Sequence, residues 1–364
     1  MQQFDSGIAG AGLAGLALAV LKARQGKSVV LWEKSAFPFH RVCGEYISLE
    51  SLPFLRRLLP EFEWHRLPQI SRLLISAPSG KTLQEKLPLG GFGISRYLLD
   101  NEIAEEAKRC GVYLLENTPV SDYSAADDGF DVSAGNAKWF CKELYLAHGK
   151  GRGPGEEARR PKRGRHFVGV KYHIRFPHPG DEIQLHNFRN GYAGMSRVEE
   201  GISCFCYLVD ACELQACGGD IRTMEESVLK RNPHIRQILE QAEFLWDSPK
   251  VISGVRFGEW GSSRDGATLL GDAAGCIAPL CGNGMSLALH SAKVLGENLA
   301  GVEQPDLKYQ AFRNAEFRPR IEAGSQIQEF FGREFLSNAA LELMRFIPSP
   351  MRRRIIRLTH GKPF

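Results

Sequence analysis

Three glycines near the start of the chain have the spacing of a turn that binds a dinucleotide. They are Gly10, Gly12 and Gly15, and the acidic residue Glu33 follows a second hydrophobic run. Glycine permits a tight turn and lets the backbone approach a pyrophosphate, whose charge the start of a helix stabilises. The carboxylate can accept hydrogen bonds from both ribose hydroxyls and would repel a 2′-phosphate. The pattern therefore predicts a site for FAD or NAD rather than NADP.

A second glycine-rich stretch lies far downstream and bears on which dinucleotide binds. It contains Gly271 and Asp272, then Gly282, Gly284 and Met285 ahead of a predicted helix. An aspartate at the end of a strand can hold a polyol hydroxyl, and N–H groups at a helix start can stabilise a delocalised anion such as reduced flavin. The paired stretches therefore favour FAD. A loop that only packs on the first domain is the alternative interpretation.

Hydrophobic patterning predicts the elements that must position these residues. The first motif requires a strand at 4–9, a helix at 16–24 and a strand at 28–32, and the second requires a helix at 286–298. Four runs at 167–174, 182–188, 191–197 and 202–210 alternate apolar and polar residues and predict an antiparallel sheet, to which a hairpin of 71–77 and 82–88 is added. Further helices are expected at 97–110, 307–328, 334–346 and 351–358.

The order of these elements predicts an α/β fold, α+β overall. It consists of a Rossmann-like FAD-binding domain with a parallel sheet, an inserted antiparallel β-sheet substrate domain, and C-terminal helices. The FAD-binding domain is expected in three parts at 1–70, 96–165 and 251–305, the substrate sheet at 71–95 and 166–250, and the helical region at 306–364. We expect the substrate to bind between the antiparallel sheet and the cofactor, because pockets form at domain interfaces.

The composition excludes several classes of protein. With 43% hydrophobic and 24% charged residues in 364, the chain resembles an ordinary folded protein rather than a disordered or fibrous one. A net charge of +4 gives no reason to expect nucleic acid, and the basic stretch at 149–165 lacks interleaved aromatic residues and is expected to be a solvated loop. Nine cysteines without framework spacing indicate reduced thiols, and the cluster Cys204, Cys206, Cys212 and Cys217 matches no metal-ligand pattern, so we expect no metal.

The chain is expected to be cytoplasmic, because its scattered cysteines indicate reduced thiols. It is not expected to cross a membrane, because no uncharged run is long enough to span a bilayer. The predicted C-terminal helix carries Arg352, Arg353, Arg354 and Arg357 among aliphatic residues. Such a helix could lie peripherally on an anionic lipid surface, and a solvated helix that caps the core is the alternative. The oligomeric state is left open.

Together with the segment from Phe37 to Glu45, the two glycine-rich stretches resemble one flavoprotein family. They are similar to the geranylgeranyl-reductase-like branch of the aromatic-hydroxylase superfamily, the p-hydroxybenzoate hydroxylase type. The resemblance covers nearly the whole chain and implies an FAD-dependent oxidoreductase that acts on a hydrophobic small molecule. One position departs from the pattern, since His148 stands before Gly149 where the family has an aspartate.

The resemblance assigns contacts with FAD to particular residues. It implies that Glu33 binds the adenosine ribose, that Arg41 lies near the ribityl chain or pyrophosphate, and that Asp272 binds the ribityl-phosphate portion. Arg96 matches the next cofactor-contacting position, although a surface arginine is an equal interpretation of the bare residue. The full set of expected cofactor-binding residues is Gly10, Gly12, Ala14, Gly15, Glu33, Lys34, Arg41, Arg96, Val120, Gly271, Asp272, Gly282, Gly284 and Met285.

Cys43 and Glu45 are the expected catalytic residues, because the resemblance places the loop that carries them beside the flavin. Cys43 could donate a proton to a carbon that has just received hydride, or it could simply fill space beside the ring. Glu45 could orient Cys43 or bind the substrate. Tyr46 and His290 are weaker candidates, and both are more often packing residues.

Two reactions fit the same cofactor cradle. The first is reduction of a carbon–carbon double bond in a prenyl or polyene-like compound by flavin hydride transfer, and Cys43 favours it. The second is hydroxylation of an aromatic or phenolic-lipid substrate through a flavin hydroperoxide. Halogenation and a non-enzymatic electron carrier are less favoured. NAD(P)H or another reductant is the expected electron donor.

Overall fold

The computed structural model describes residues 2–151, 153–155, 165–259 and 261–364. The strands in this part of the chain are β1 (Gln2–Ala9), β2 (Val29–Trp32), β3 (Tyr46–Ser48), β4 (Gln69–Ser76), β5 (Thr82–Gly93), β6 (Tyr113–Leu115), β7 (Val120–Ala126), β8 (Gly129–Ala134), β9 (Ala137–Leu146), β10 (Phe167–Arg175), β11 (Glu182–Phe188), β12 (Gly191–Arg197), β13 (Ser203–Asp210), β14 (Glu243–Phe244), β15 (Lys250–Val255), β16 (Gly258–Glu259), β17 (Ser263–Arg264), β18 (Ala267–Leu269) and β19 (Gly275–Cys276).

The helices of the described residues are α1 (Leu13–Arg24), α2 (Leu52–Leu58), α3 (Arg96–Arg109), α4 (Ala211–Ala216), α5 (Ile221–Ser227), α6 (Pro233–Gln241), α7 (Gly284–Lys293), α8 (Pro305–Phe312), α9 (Arg318–Gln328), α10 (Glu334–Phe346) and α11 (Ser349–Arg357). Wider helical turns at Val294–Asn298 and Arg313–Phe317 extend α7 and join α8 to α9.

The first sheet has a parallel centre that carries the glycine turn. Its strands are hydrogen-bonded in the order β17-β18-β9-β1-β2-β6, and β7 and β8 extend it through β9. All four residues of β2 are buried, as expected of a strand that is covered on both faces. In α1, every residue from Leu13 to Lys22 is buried, because this helix lies between the sheet, α3 and α7. The Rossmann-like arrangement therefore rests on one well-covered βαβ unit.

Packing explains why β1 contains the poor strand formers Ser6 and Gly7. A side chain at Gly7 would place its Cβ 2.7 Å from Cys141 Sγ and 3.0 Å from the ring of Trp32. The hydroxyl of Ser6 donates a hydrogen bond of 2.9 Å to Glu143 on the neighbouring strand. Both residues thus suit the space between β1 and its neighbours, which the sequence alone does not reveal.

The second sheet lies over the first domain and is antiparallel apart from one pair. Its strands follow the order β14-β10-β13-β12-β11-β4-β5-β3, with β15 paired to β10, and only β4 and β11 run parallel. Residues alternate between its faces: Phe205 and Tyr207 pack in a cluster with Met224 of α5, whereas the Cys204 thiol contacts the loop of the first domain that carries Cys43. The sheet therefore presents one face to helices α4 to α6 and the other to the first domain.

The predicted architecture is confirmed, with local corrections. The hairpin at 71–77 and 82–88 joins the second sheet as β4 and β5, and its parallel pairing with β11 is a departure from a purely antiparallel sheet. α1 and α7 begin three and two residues earlier than predicted, which places Gly15 and Gly284 inside helical turns. The helix predicted at 307–328 is divided by the wider turn between α8 and α9. The basic loop lies largely outside the described residues, at 152 and 156–164, and the predicted domain boundaries stay predictions.

In the C-terminal region, α10 and α11 pack against β5 of the second sheet, and α9 contacts β16. A search of the described helices found none that combines the length and the apolar character needed to cross a bilayer. The segment after α11 returns to the first domain, where the N–H of Phe364 donates to the Glu50 carbonyl at 3.0 Å and the Phe364 ring stacks on His290 at 4.1 Å. Phe364 is thus a partly buried residue that packs against the core of the first domain.

Candidate functional site

The glycine turn has the steric requirements that its spacing predicts. Gly10 has φ of 107°, and a side chain there would place its Cβ 2.5 Å from the carbonyl oxygen of Ala147. A side chain at Gly15 would overlap the carbonyl of Gly10. Gly12 differs, because the nearest atom to its Cβ position is Arg96 Nη2 at 3.9 Å. Gly10 and Gly15 are therefore required by the fold, whereas Gly12 keeps a space open.

Glu33 lies at the end of β2 with its carboxylate against this turn. Its Oε2 accepts hydrogen bonds from the N–H of Ala11 at 3.0 Å and from Arg41 Nη2 at 3.0 Å. Its Oε1 accepts from the N–H of Ser35 at 3.2 Å. The side chain is almost completely buried, so its position is fixed beside the place that a ribose next to the pyrophosphate would take.

Asp100 holds two arginines side by side next to the turn, and the sequence analysis missed it. Its Oδ2 accepts from Arg41 Nε at 2.9 Å and from Arg96 Nη2 at 2.7 Å, and its Oδ1 accepts from Arg96 Nε at 2.6 Å. Arg41 also donates to the carbonyl of Ala11 at 3.1 Å. The interpretation of Arg96 as a surface arginine is wrong, because its side chain is mostly buried. The spacing of Arg96 and Asp100, one helical turn apart, was the available signal.

The downstream stretch lies directly against the N-terminal one. A side chain at Gly271, whose φ is 61°, would place its Cβ 3.0 Å from the Cβ of Ala14. Gly284 and Met285 form the first turn of α7, and the thiol of Cys43 is 3.6 Å from Met285 Sδ. Two stretches that are far apart in sequence therefore meet with the cysteine loop between them, as the sequence predicted.

Lys150 reaches the same region and was not identified from the sequence. Its ammonium is 3.8 Å from Asp272 Oδ2, and it is close enough to Cys43 and Cys206 to interact with both electrostatically. Burial opposes its charge, yet the surrounding thiols and Asp272 keep the pKa of Lys150 above its ordinary value. Lys150 follows His148-Gly149 just after β9, where the sequence departs from the family pattern. The signal that could have identified it is a basic residue shortly after a central strand.

The loop that carries Cys43 is fixed by three strands of the second sheet. Lys171 Nζ donates to the Arg41 carbonyl at 3.2 Å, the Cys204 thiol donates to the Cys43 carbonyl at 3.2 Å, and the Ser196 hydroxyl donates to the Gly44 carbonyl at 2.7 Å. The donors come from β10, β13 and β12. The second sheet therefore determines where the Cys43 thiol lies relative to α7.

Glu45 is a completely buried carboxylate with a left-handed backbone conformation, φ 55°. Its Oε1 accepts from Lys171 Nζ at 2.5 Å and from the N–H of Arg96 at 2.7 Å, and its Oε2 bonds to His173 Nε2 at 2.7 Å. Burial raises the pKa of Glu45, but the charge of Lys171 and the hydrogen bond from His173 outweigh it and hold the pKa at about 2. This geometry gives Glu45 a positioning role, and the predicted contact with Cys43 or substrate stays a prediction.

His40, Glu45 and His173 together form a group whose potential metal-ligand atoms lie within 4.8 Å of one another. The Lys171 ammonium already supplies the positive charge next to Glu45. Burial and the charge of Lys171 lower the pKa of His40 to about 4, and the rings of His40 and His173 both pack on Trp246. The three side chains of this group are thus held by contacts within the protein.

The remaining predicted residues lie near the site or in its packing. Lys34 is exposed next to Glu33, and Val120 is half-buried on β7, two positions after Thr118, whose N–H donates to the Glu33 carbonyl at 2.8 Å. The ring of Tyr46 packs beside Gly282. Whether Lys34 and Val120 contact a cofactor stays a prediction, and Tyr46, like His290, is placed in packing.

These residues fit an FAD. The open space at Gly12 is bordered by the Arg96 guanidinium, and Arg41 binds the carbonyl of the neighbouring Ala11, which suits a pyrophosphate. The carboxylate of Glu33 suits the ribose of the adenosine, and the first turn of α7 offers N–H groups to the edge of a flavin ring beside Cys43. FAD would therefore extend from Glu33 to Met285.

Known proteins with similar sequences agree with this assignment of the nucleotide site. Residues 8–42 match the family model of an NAD(P)-binding Rossmann-like domain. The conditioned medium factor receptor 1 of Dictyostelium discoideum is 23% identical over 387 aligned residues, which cover 94% of this chain and 71% of that protein. The digeranylgeranylglycerophospholipid reductase 1 of Methanosphaera stadtmanae is 29% identical over 137 residues, 36% of this chain and 34% of that protein.

Solved structures share the arrangement over nearly the whole chain. A flavoprotein/dehydrogenase from Cytophaga hutchinsonii has a TM-score of 0.79 at 18% identity and covers 98% of this chain and 92% of its own. The flavin-dependent halogenase CmlS has a TM-score of 0.78 at 20% identity, with 100% and 74% covered. A geranylgeranyl bacteriochlorophyll reductase-like protein from Thermoplasma acidophilum has a TM-score of 0.68 at 18% identity, with 100% and 93% covered. At these identities the likeness establishes a shared fold and not a shared reaction.

Replacing Gly12 should separate folding from cofactor binding. In Gly12→Val the new side chain meets open space and a backbone φ of −82° that valine tolerates, so the unfolding temperature of the flavin-free protein should change little. The same side chain occupies the place of the pyrophosphate, so FAD affinity should fall roughly 100-fold or more. Titration of the flavin-free protein with FAD, followed by flavin fluorescence, measures this. Gly180→Val, at a glycine with equally open surroundings, is the control, and full FAD affinity in Gly12→Val would contradict the assignment.

The ionised state of Glu45 makes a prediction about pH. Its pKa in the folded chain lies below the ordinary 4.5, so its stabilisation is complete above pH 4.5 and is lost as the pH falls towards 2. Glu45→Gln leaves the Lys171 ammonium buried and unpaired, so it should lower the free energy of unfolding by about 3–5 kcal/mol at neutral pH. That deficit should shrink by roughly 1 kcal/mol at pH 4.

Urea denaturation at the two pH values measures this change. The control is Glu297→Gln, which removes the carboxylate of the exposed pair with Arg57 and should cost below about 1 kcal/mol. An equal deficit for Glu45→Gln at both pH values would show that Glu45 is not ionised through its contact with Lys171.

Proposed function

We propose that this chain, which has the fold of the FAD-dependent flavoprotein oxidoreductases, is an FAD-dependent enzyme that reduces a carbon–carbon double bond in a prenyl or polyene-like substrate. The observation that carries the proposal is the Cys43 thiol at 3.6 Å from Met285, in the first turn of α7. This contact positions a proton donor beside the place that the flavin ring would take. When bound, FAD supplies the redox chemistry, since it accepts electrons from a reductant and passes them to the substrate.

The proposed substrate class is supported by the face of the second sheet that is turned to the first domain. Along β13 this face carries Cys204 and Cys206 and then Leu208, which joins an apolar cluster with Leu185 and Tyr192. Leu280, close before α7, packs on the same cluster, so the apolar face is continuous with the cofactor site. A hydrophobic chain lying along this face would bring its reacting carbons towards Cys43.

The role of Cys43 is set by what reduction of a double bond requires. The two carbons each gain a hydrogen, one delivered with the electron pair and the other as a proton. The Cys43 thiol can donate that proton, and solvent returns it afterwards. The ammonium of Lys150, which interacts electrostatically with this thiol, would stabilise the thiolate that remains. Lys171, Ser196 and Cys204 keep the loop in place through its carbonyls.

Electrons are proposed to come from NAD(P)H or another reductant. Glu33 disfavours a 2′-phosphate only at the FAD site, so it does not select between NADH and NADPH as donors. The parallel sheet around the glycine turn is assigned to FAD, and a donor would approach the flavin from the side of the substrate.

The second candidate is monooxygenation of an aromatic or phenolic-lipid substrate. It is supported by the same cradle, because the likeness to a flavin-dependent halogenase shows that this fold also hosts flavin chemistry of another kind. Reduction is preferred because the thiol beside Met285 has a direct use in it, and because the local sequence match includes a digeranylgeranylglycerophospholipid reductase.

Substitution of Cys43 tests its proposed role. Cys43→Ala should retain one FAD per chain and slow anaerobic oxidation of the reduced flavin by a polyprenyl substrate roughly 100-fold. Cys43→Ser should be slow as well, because a hydroxyl is a much weaker acid, whereas a space-filling role predicts near-normal turnover for serine. Cys212→Ala, at an exposed thiol, is the control. Undiminished turnover in both Cys43 variants would remove this residue from the mechanism.

The choice between the two reactions can be made with one reduced sample. The protein is reduced without oxygen and mixed with a prenylated phenol, which offers both a double bond and an aromatic ring, and the flavin spectrum and the product mass are recorded. Reduction predicts that the flavin is reoxidised without oxygen and that the product gains two hydrogens. Incorporation of ¹⁸O into the product when ¹⁸O₂ is admitted, with no anaerobic reaction, would instead establish the monooxygenase.

A further inference from the structure

Helix α10 has an apolar stripe that faces away from the protein. Phe335, Ala339, Leu343 and Phe346 follow one another at intervals of four, four and three residues and so lie on one side of the helix. Phe335 is 82% exposed, Leu343 64% and Phe346 83%. Three large apolar side chains on a single outward stripe are unusual on a protein surface in contact with water alone.

The opposite side of α10 is fixed to the protein, so the stripe cannot turn inward. Ser337 and Leu341 are buried on that side. Along its flank, Glu342 pairs with Lys81 at 2.6 Å, which ties the helix to the β4–β5 hairpin. The helix is therefore apolar on two sides, one of which packs on the protein while the other lacks a cover among the described residues.

Helix α11 adjoins the end of α10, where Arg352 Nη1 donates to the carbonyls of Met344 and Ile347, and it has a basic outer side. Met351 is 60% exposed and Leu358 54%, and Arg354 and Arg357 are exposed beside them. With Arg345 at the end of α10, these residues and the stripe form what we call the C-terminal surface, defined as Phe335, Ala339, Leu343, Arg345, Phe346, Met351, Arg354, Arg357 and Leu358.

Two of the arginines that the sequence assigns to a lipid-facing helix have another use. Arg352 Nε and Arg353 Nε donate to the carboxylate of Glu85 at 2.7 Å and 3.0 Å. Burial raises the pKa of Glu85, but Ser349 and these arginines outweigh it and hold the pKa at about 2. The pairs fix α11 on β5 with Arg354 and Arg357 turned outward. The basic helix thus partly caps the second sheet, and the most exposed apolar side chains of the surface, Phe335 and Phe346, belong to α10.

The charge of this region is distinct from that of the rest of the chain. The C-terminal surface contains three arginines and no acidic residue. Glu342 lies beside it, where it pairs with Lys81 and is 3.7 Å from Arg345. A second copy of the chain on the same surface would bring these arginines face to face, which disfavours a symmetric dimer. Apolar side chains among cations are instead complementary to a bilayer with anionic headgroups.

We propose that the C-terminal surface docks the protein on an anionic lipid bilayer, with Phe335, Leu343 and Phe346 among the acyl chains and Arg345, Arg354 and Arg357 at the lipid phosphates. The protein lies on the membrane rather than across it, because α10 is parallel to the surface that its stripe defines. A membrane surface would also hold a hydrophobic substrate at high local concentration. The docking itself does not depend on the proposed reaction.

Vesicle flotation with the FAD-loaded full chain tests this proposal. The protein should float with vesicles of phosphatidylcholine that contain about a third phosphatidylglycerol and much less with phosphatidylcholine alone, and added salt should weaken the binding. Phe335→Ser/Phe346→Ser should reduce binding roughly tenfold or more, because two apolar side chains no longer enter the bilayer. The double variant Arg345→Gln/Arg354→Gln should reduce vesicle binding about fivefold for each arginine replaced. This loss should be seen only with anionic vesicles.

A matched control is available in Leu307→Ser, because Leu307 is 61% exposed in α8, outside the C-terminal surface. This variant should float like the parent, and all variants should keep their flavin and unfolding temperature. Absence of binding to anionic vesicles, or equal binding by the phenylalanine variant, would overturn the proposal. Analytical ultracentrifugation tests the alternative of self-association. Self-association that depends on protein concentration and is abolished in the phenylalanine variant, without vesicle binding by the parent, would also overturn the proposal. Vesicle binding needs no turnover, so its failure would leave the proposed reduction standing.

Discussion

A single buried carboxylate joins the parts of this protein that must act together. Glu45 belongs to the loop of Cys43, and it binds Lys171 and His173 of the second sheet and the first N–H of α3. Burying a charge is expensive unless its partners are close, so the contact is stable only when loop, sheet and helix are all in place. Removal of Glu45 would leave the Lys171 ammonium unpaired in a dry interior, and removal of Lys171 would do the same to the Glu45 carboxylate. The interaction thus couples the position of the cysteine to that of the arginine at the start of α3.

The nucleotide site is built in the same manner, from charges held in pairs. Asp100 is the counterpart of Glu45, since it fixes Arg41 and Arg96 next to the glycine turn. Positive groups that are already in position lose little freedom when an anion binds, which favours tight binding of a pyrophosphate. At the other end, the first turn of α7 lies against Cys43. A flavin dinucleotide would therefore connect two pre-formed ends of one site.

The sequence revealed those features that depend on local sterics. Gly10 and Gly15 are recognisable because no other residue fits a turn so close to a neighbouring strand, and the hydrophobic periods predicted both sheets and the C-terminal helices. Features that depend on pairing across the fold were missed. Asp100 looks like any acidic residue of a helix until the structure shows Arg41 beside it. In the same way, Lys150 looks like any loop lysine until Asp272 is seen beside it. Lipid contact and a capping role are both open for α11 from its sequence, and only the structure shows that Glu85 binds two of its arginines.

Hydrogen–deuterium exchange with and without FAD tests most directly whether the two distant stretches hold one cofactor. We expect that FAD slows exchange in the amides of residues 11–14 and of residues 284–286 together, with the same dependence on FAD concentration. Helix α6, on the far side of the second sheet, should be unaffected. Protection of the glycine turn without protection at the start of α7, or of neither, would show that the two stretches do not grip a common flavin.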